Sequence, residues 1–195
     1  MQTLESLLKK GTTILKDNGL EEAGLDAWLL LEYKTGKNRA YYFAHGDEPV
    51  SDETAAEYLT LIDRRAGHIP VQQLTHQAFF MGYEFYVNEN VLIPRQDTET
   101  LVEEAMEKSG KGDRVLDMCT GSGCILLSLL KLVPGLSGTG ADISQEALKV
   151  AVENGKRLQT EASFLESDLF EKVEGVFDLI VSNPCLLYTS DAADE

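Results

Sequence analysis

Three things are scarce in this chain of 195 residues, and each scarcity excludes something. Cysteine occurs three times, at Cys119, Cys124 and Cys185, with no framework spacing. That argues against a disulfide scaffold or a metal pair, so small buried thiols, a reducing compartment and no metal are expected. Long apolar runs are missing. Nothing near the start reads as a signal peptide and no run is long enough to span a bilayer, so the cytoplasm is the expected location, with no membrane partner. Basic charge is short: 17 Lys and Arg stand against 33 Asp and Glu, a formal net charge of -16. Such a surface repels a phosphate backbone at long range, so no direct nucleic-acid partner is expected.

What is present is enough apolar residue, 43%, for a real core, and one stretch around which the rest is arranged. Arg114–Asp117 reads as a buried strand, Thr120-Gly121-Ser122-Gly123 as a tight turn, and Cys124–Leu132 as an apolar helix. A strand, glycine turn and helix in that order open a dinucleotide- or nucleoside-binding α/β domain.

The flanking sequence divides into segments. Residues 1–68 read as short amphipathic helices forming a small bundle. Leu4, Leu7, Leu8, Ile14 and Leu15 form one face, broken near Gly11 and ended by Asn18-Gly19; Trp28 is core or rim, and Ser51 is a good N-cap. Residues 69–95 read as a linker, with a hairpin turning at Gly82-Tyr83 and an extended Val91–Arg95. From residue 96 a helix begins, with Asp97, Thr98 and Glu99 placed to face its N-terminal amides. Further strands are expected at Ser137–Asp142, Ala162–Leu165 and Phe177–Ser182, with Ser144 capping the helix between the first two. These spacings give right-handed crossovers and a parallel sheet over residues 96–184. Residues 185–195 have neither period nor length to complete such a sheet. They are read as a non-native tail on a chain truncated after Asn183-Pro184.

Ligands of open parallel sheets bind beyond the carboxyl ends of the strands. Asp117 with Thr120, Gly121 and Gly123, then Asp142, Asp168 and Asn183-Pro184 all fall there. Asp142, nineteen residues after Gly123, is placed to accept both hydroxyls of a ribose. These features fit NAD and a sulfonium nucleoside alike. Two details separate them: the third glycine of G-x-G-x-x-G would be residue 126, which is Leu126, and an acid ending the first strand suits a cation better than a diphosphate. S-adenosylmethionine has that cationic character and is the expected cofactor. Asn183 and the Pro184 carbonyl could take the two hydrogens of a planar –NH2 group, aiming its lone pair at a methyl donor.

Residues 91–99, 115–124, 141–144, 167–170 and 181–184 together resemble the bacterial peptide-chain-release-factor glutamine N5-methyltransferases, the HemK/PrmC family. The resemblance implies a class I, Rossmann-like methyltransferase sheet that uses S-adenosylmethionine, preceded by a small helical bundle and a hairpin linker. It implies a release factor as protein substrate, recognised with the help of the bundle and methylated on the glutamine of a Gly-Gly-Gln motif by a monomer. Asp117, Thr120, Gly121 and Gly123 would line the methionine end, Asp142 the ribose and Asp168 the adenine, while Asn183 and Pro184 would hold the glutamine amide. The family's Asn-Pro-Pro-Tyr is matched here only by Asn183-Pro184, because Cys185 and Leu186 follow. A ribosomal-protein glutamine methyltransferase, an adenine N6-methyltransferase and a non-catalytic protein-binding fragment are the alternatives.

Overall fold

A computed structural model describes residues 2–184. The chain divides into two compact units between His76 and Gln77. The tail read as non-native, from Cys185 onward, lies outside the described residues.

The first unit is helical: α1 (Leu4–Asp17), α2 (Ala23–Thr35), α3 (Arg39–Ala44), α4 (Asp52–Ala66) and α5 (Val71–Thr75). Local chemistry sets several ends. Thr3 and Ser6 form a reciprocal capping box, Ser51 Oγ accepts from the Thr54 amide at 3.1 Å, and Gly36 closes α2 in the left-handed region. Leu7, Leu15, Leu30, Leu31, Tyr58 and Ile62 are fully buried, and Trp28 is buried edge-on to Tyr42 at 5.2 Å between ring centroids. The break expected near Gly11 does not occur. α1 runs through it because glycine there answers a packing demand: a Cβ would overlap the Tyr58 hydroxyl and stand 2.9 Å from Tyr58 Cζ. That hydroxyl donates to the Ala27 carbonyl at 3.2 Å, so one glycine lets Tyr58 bridge α4 to α2 beneath α1.

The second unit begins with an antiparallel hairpin, β1 (Gln77–Phe80) and β2 (Tyr83–Tyr86). The turn falls at Met81-Gly82, one residue earlier than expected, with positive φ at both positions and Tyr83 paired to Phe80. A 3-10 turn over Gln96–Thr98 leads into α6 (Glu99–Lys108). Then follow β3 (Arg114–Met118), α7 (Cys124–Leu132), β4 (Ser137–Asp142), α8 (Gln145–Arg157), β5 (Ser163–Glu166) and β6 (Leu179–Ser182). The four later strands form a parallel sheet in the order β5-β4-β3-β6, the α/β class expected for a Rossmann-like methyltransferase. Its core joins Val115 and Val181 of the sheet to Ile125, Leu126, Leu127 and Leu129 of α7, and to Phe80 and Phe85 of the hairpin. Leu126 is wholly buried there, so the position where a third glycine would stand serves packing instead.

Candidate active site

Register decides what meets at the mouth of the sheet. Met118, the last residue of β3, pairs with Ala141 of β4 on one side and Ser182 of β6 on the other. Asp142 and Asn183 each follow those partners directly. The turn after β3 is therefore flanked by a carboxylate on one side and a carboxamide on the other.

The turn is tightly tied. The Thr120 amide donates to the Ala141 carbonyl at 3.0 Å, the Gly121 amide to Asp142 Oδ2 at 2.9 Å, and the Gly123 amide to the Thr120 carbonyl at 2.8 Å. Gly121 and Gly123 both have positive φ, and a Cβ on Gly123 would stand 3.2 Å from Ala151 of α8. The Gly121 amide is thus taken by Asp142. An occupied amide offers little to a diphosphate. Cys119 also sits in the left-handed region, at φ 62, and is half-buried with a free thiol.

Asp117 lies beneath this turn with no exposure to solvent. Its Oδ2 accepts from the Thr120 hydroxyl at 2.6 Å, while its buried Oδ1 has no hydrogen-bond partner among the described residues. Burial pushes its carboxyl up to about 7, with the Asp142 charge adding to the rise, against the pull of the Thr120 hydroxyl and the Leu126 amide. Asp142 is half-buried; besides the Gly121 amide it accepts from the Ser144 amide at 2.9 Å. A carboxylate offers about four lone-pair sites, so two such bonds leave capacity for a diol. Two neighbouring acids, one of them with a buried oxygen lacking a partner, make an acceptor set that fits a cationic ligand carrying ribose hydroxyls. S-adenosylmethionine fits it.

The structure does not draw Asp168 into this cluster. It is exposed, and the adjoining Ser167 is what ties its loop to the site, its backbone amide donating to the Asp142 carbonyl at 3.0 Å. Exposed Ile143, Leu169 and Phe170 follow the ends of β4 and β5 at the same rim. Asn183 is half-buried, and its Nδ2 donates to Thr98 Oγ1 at 3.1 Å; Pro184 is exposed.

One residue that sequence reading passes over, and two that it assigns other partners, hold the site in place. Asn154 of α8 is fully buried; its Nδ2 donates to the Ser122 carbonyl at 2.9 Å and the Tyr86 carbonyl at 3.0 Å, and its Oδ1 accepts from the Tyr86 amide at 2.7 Å. One side chain thus fastens the glycine turn to the hairpin. Thr98 and Glu99 were expected to face the amides of α6, and that is corrected. Thr98 stands at the N-cap yet makes no side-chain cap bond, its oxygen being engaged by Asn183, while Glu99 Oε1 accepts from the Met81 amide at 2.7 Å.

Residues 6–75 match the PrmC N-terminal domain, and residues 95–194 match the methyltransferase small domain. A release factor glutamine methyltransferase of Deinococcus radiodurans is 36% identical over 192 residues, covering 97% of this chain and 69% of the relative. Its namesake in Leptospira interrogans is 39% identical over 197 residues, with 97% and 69% covered. The chain belongs to the release factor glutamine methyltransferase family. Within the family, the protein of Bacillus subtilis is 35% identical over 204 residues, covering all of this chain and 70% of its own length. Among solved structures, the Thermus thermophilus 16S rRNA N2 G1207 methyltransferase superposes with a TM-score of 0.50 at 24% identity, over 56% of this chain and 32% of that one, which is a likeness of fold. No helix among the described residues is long and apolar enough to cross a membrane.

Proposed function

We propose that this chain carries the cofactor pocket and the amide-holding corner of an enzyme that methylates the side-chain nitrogen of a glutamine in peptide chain release factors, the Gly-Gly-Gln glutamine. One observation carries the reading: Asp142 and Asn183 stand at equivalent positions on the two strands flanking the β3 turn, so a donor and an amide would meet above Asp117. S-adenosylmethionine supplies an electrophilic methyl group on a sulfonium.

The chain's own residues do the rest. Thr120, Gly121 and Gly123 shape the floor over Asp117, whose buried charge acts through that floor on the positive end of the cofactor; Asp142 accepts from the ribose hydroxyls. Asp168 lies on the adenine side, where Ile143 and Leu169 provide apolar cover. Asn183 Oδ1 and the Pro184 carbonyl accept the two hydrogens of the glutamine –NH2, which turns its lone pair toward the methyl. The nitrogen held in this way would take the methyl group that the sulfonium supplies, and once alkylated and cationic it would lose one proton to water. No strong base is needed; alignment and fixed dipoles supply the rate. A cytoplasmic location goes with this reading, and the free thiols of Cys119 and Cys124 support it, since a reducing compartment keeps thiols unpaired.

The test is transfer of a labelled methyl group to a release factor. Transfer should vanish when the target glutamine is replaced and should fall by at least about a hundredfold in Asn183→Ala. Full transfer by Asn183→Ala, or binding of a pyridine dinucleotide in place of the sulfonium cofactor, overturns the reading.

A further inference from the structure

We propose that Thr98 is a positioning residue for the reaction: by accepting an N–H of the Asn183 carboxamide it fixes which end of that amide faces the substrate nitrogen. The inference rests on the reading above, in which Asn183 Oδ1 accepts from a glutamine –NH2. A carboxamide has two ends of nearly the same shape, and its terminal torsion is broad and two-fold. Turned one way, Asn183 offers an acceptor to the substrate. Turned the other way, it sets –NH2 against –NH2, donor against donor, and cannot hold the glutamine. Something outside Asn183 has to choose.

Thr98 is built to choose. Its Oγ1 lies 3.1 Å from Asn183 Nδ2, across 85 residues of sequence. The hydroxyl stands at the N-cap of α6, where a threonine oxygen ordinarily accepts from an amide of its own helix; here no such bond is made. Its backbone is held on both sides. The Thr98 amide donates to the Arg95 carbonyl at 3.0 Å, and the next residue, Glu99, anchors the Met81 amide of the hairpin. The anchor is therefore fixed before any ligand arrives, and with the nitrogen end of Asn183 engaged, the oxygen end is the one left for the substrate. A hydroxyl can donate as well as accept, but in this arrangement it meets an N–H and accepts.

Two measurements on the full chain test this. In 15N-labelled protein, the Asn183 –NH2 signal is assigned by its loss in Asn183→Ala. One of its hydrogens should exchange with solvent at least about tenfold more slowly than a free carboxamide; protection should persist in Thr98→Ser and disappear in Thr98→Val and Thr98→Ala. In methyl transfer to a release factor, Thr98→Val should lower kcat about tenfold with the dissociation constant for S-adenosylmethionine unchanged, and Thr98→Ser should restore it. In the Asn183→Ala background, Thr98→Val should have no further effect. An unprotected Asn183 amide in the parent chain overturns the inference, whether or not the chain turns over. So does a fully active Thr98→Val beside an inactive Asn183→Ala, an outcome that leaves the functional reading standing. A fully active Asn183→Ala removes both.

Discussion

Asp117 shows how much chemistry one buried carboxyl can carry. Its ordinary value of 3.8 is raised to about 7 chiefly by desolvation, so the native state holds this proton more tightly than the unfolded chain does. The contribution of this group to stability is accordingly greatest below about pH 4 and is lost as pH climbs toward 7. A cationic ligand reverses that preference, because it favours the ionised form. Affinity for S-adenosylmethionine is therefore expected to tighten about tenfold between pH 6 and pH 8, with release of a proton on binding. Titration calorimetry in two buffers of different ionisation enthalpy measures both quantities. Asp117→Asn should flatten the pH dependence, weaken binding at pH 8 and remove the released proton. A pH-independent affinity in the parent chain would show that Asp117 stays in one charge state throughout.

Elements show which parts of the fold a sequence reveals. α7 and β4 were legible to the residue because their signals are local: a glycine turn starts one, Pro134-Gly135 ends it, and Asp142 with the Ser144 cap closes the other. Gly11 was misread because its partner, Tyr58, lies 47 positions away, and a glycine within an amphipathic run looks like a break until that partner is known. The same reason hides the role of Asn154 and the true partner of Thr98, whose bonds span 68 and 85 positions. Of the residues expected at the site, Asp117, Thr120, Gly121, Gly123 and Asp142 lie within one strand–turn–helix–strand unit, and Asn183 joins them through the register of β6 on β3. Gly11→Ala tests this reading of α1. Helix propensity alone favours alanine by about 1 kcal/mol, whereas overpacking against Tyr58 costs about 1–3 kcal/mol. Thermal denaturation is expected to show a net loss, partly recovered in the double variant with Tyr58→Phe, which removes the overlapping oxygen together with its bond to Ala27. A Gly11→Ala protein that melts higher than the parent would mean that Tyr58 yields without cost.

At the scale of the whole molecule the deciding quantity is charge. An excess of sixteen acidic groups repels itself in the folded chain more than in the extended one, so it opposes compaction while keeping copies apart. Two of the described ion pairs, Lys108–Glu104 and Lys149–Glu146, are on exposed helix faces and relieve little of this. Added salt screens the repulsion over a Debye length that shrinks from about 30 Å at 0.01 M to about 8 Å at 0.15 M. The thermal midpoint is therefore expected to rise between those salt concentrations, by about 2–4 °C for each kcal/mol of repulsion relieved. The same field separates a protein substrate from a nucleic-acid one. A phosphate-backbone binder loses affinity steeply as salt rises, whereas this chain should show no retention of DNA or RNA even at 0.01 M. Calorimetry and a gel-shift series over one salt gradient test both expectations. A midpoint that falls with salt, together with salt-sensitive retention of nucleic acid, would reveal a local basic face and return adenine N6-methylation to consideration. A midpoint that rises with no retention is the outcome that the proposed protein substrate requires.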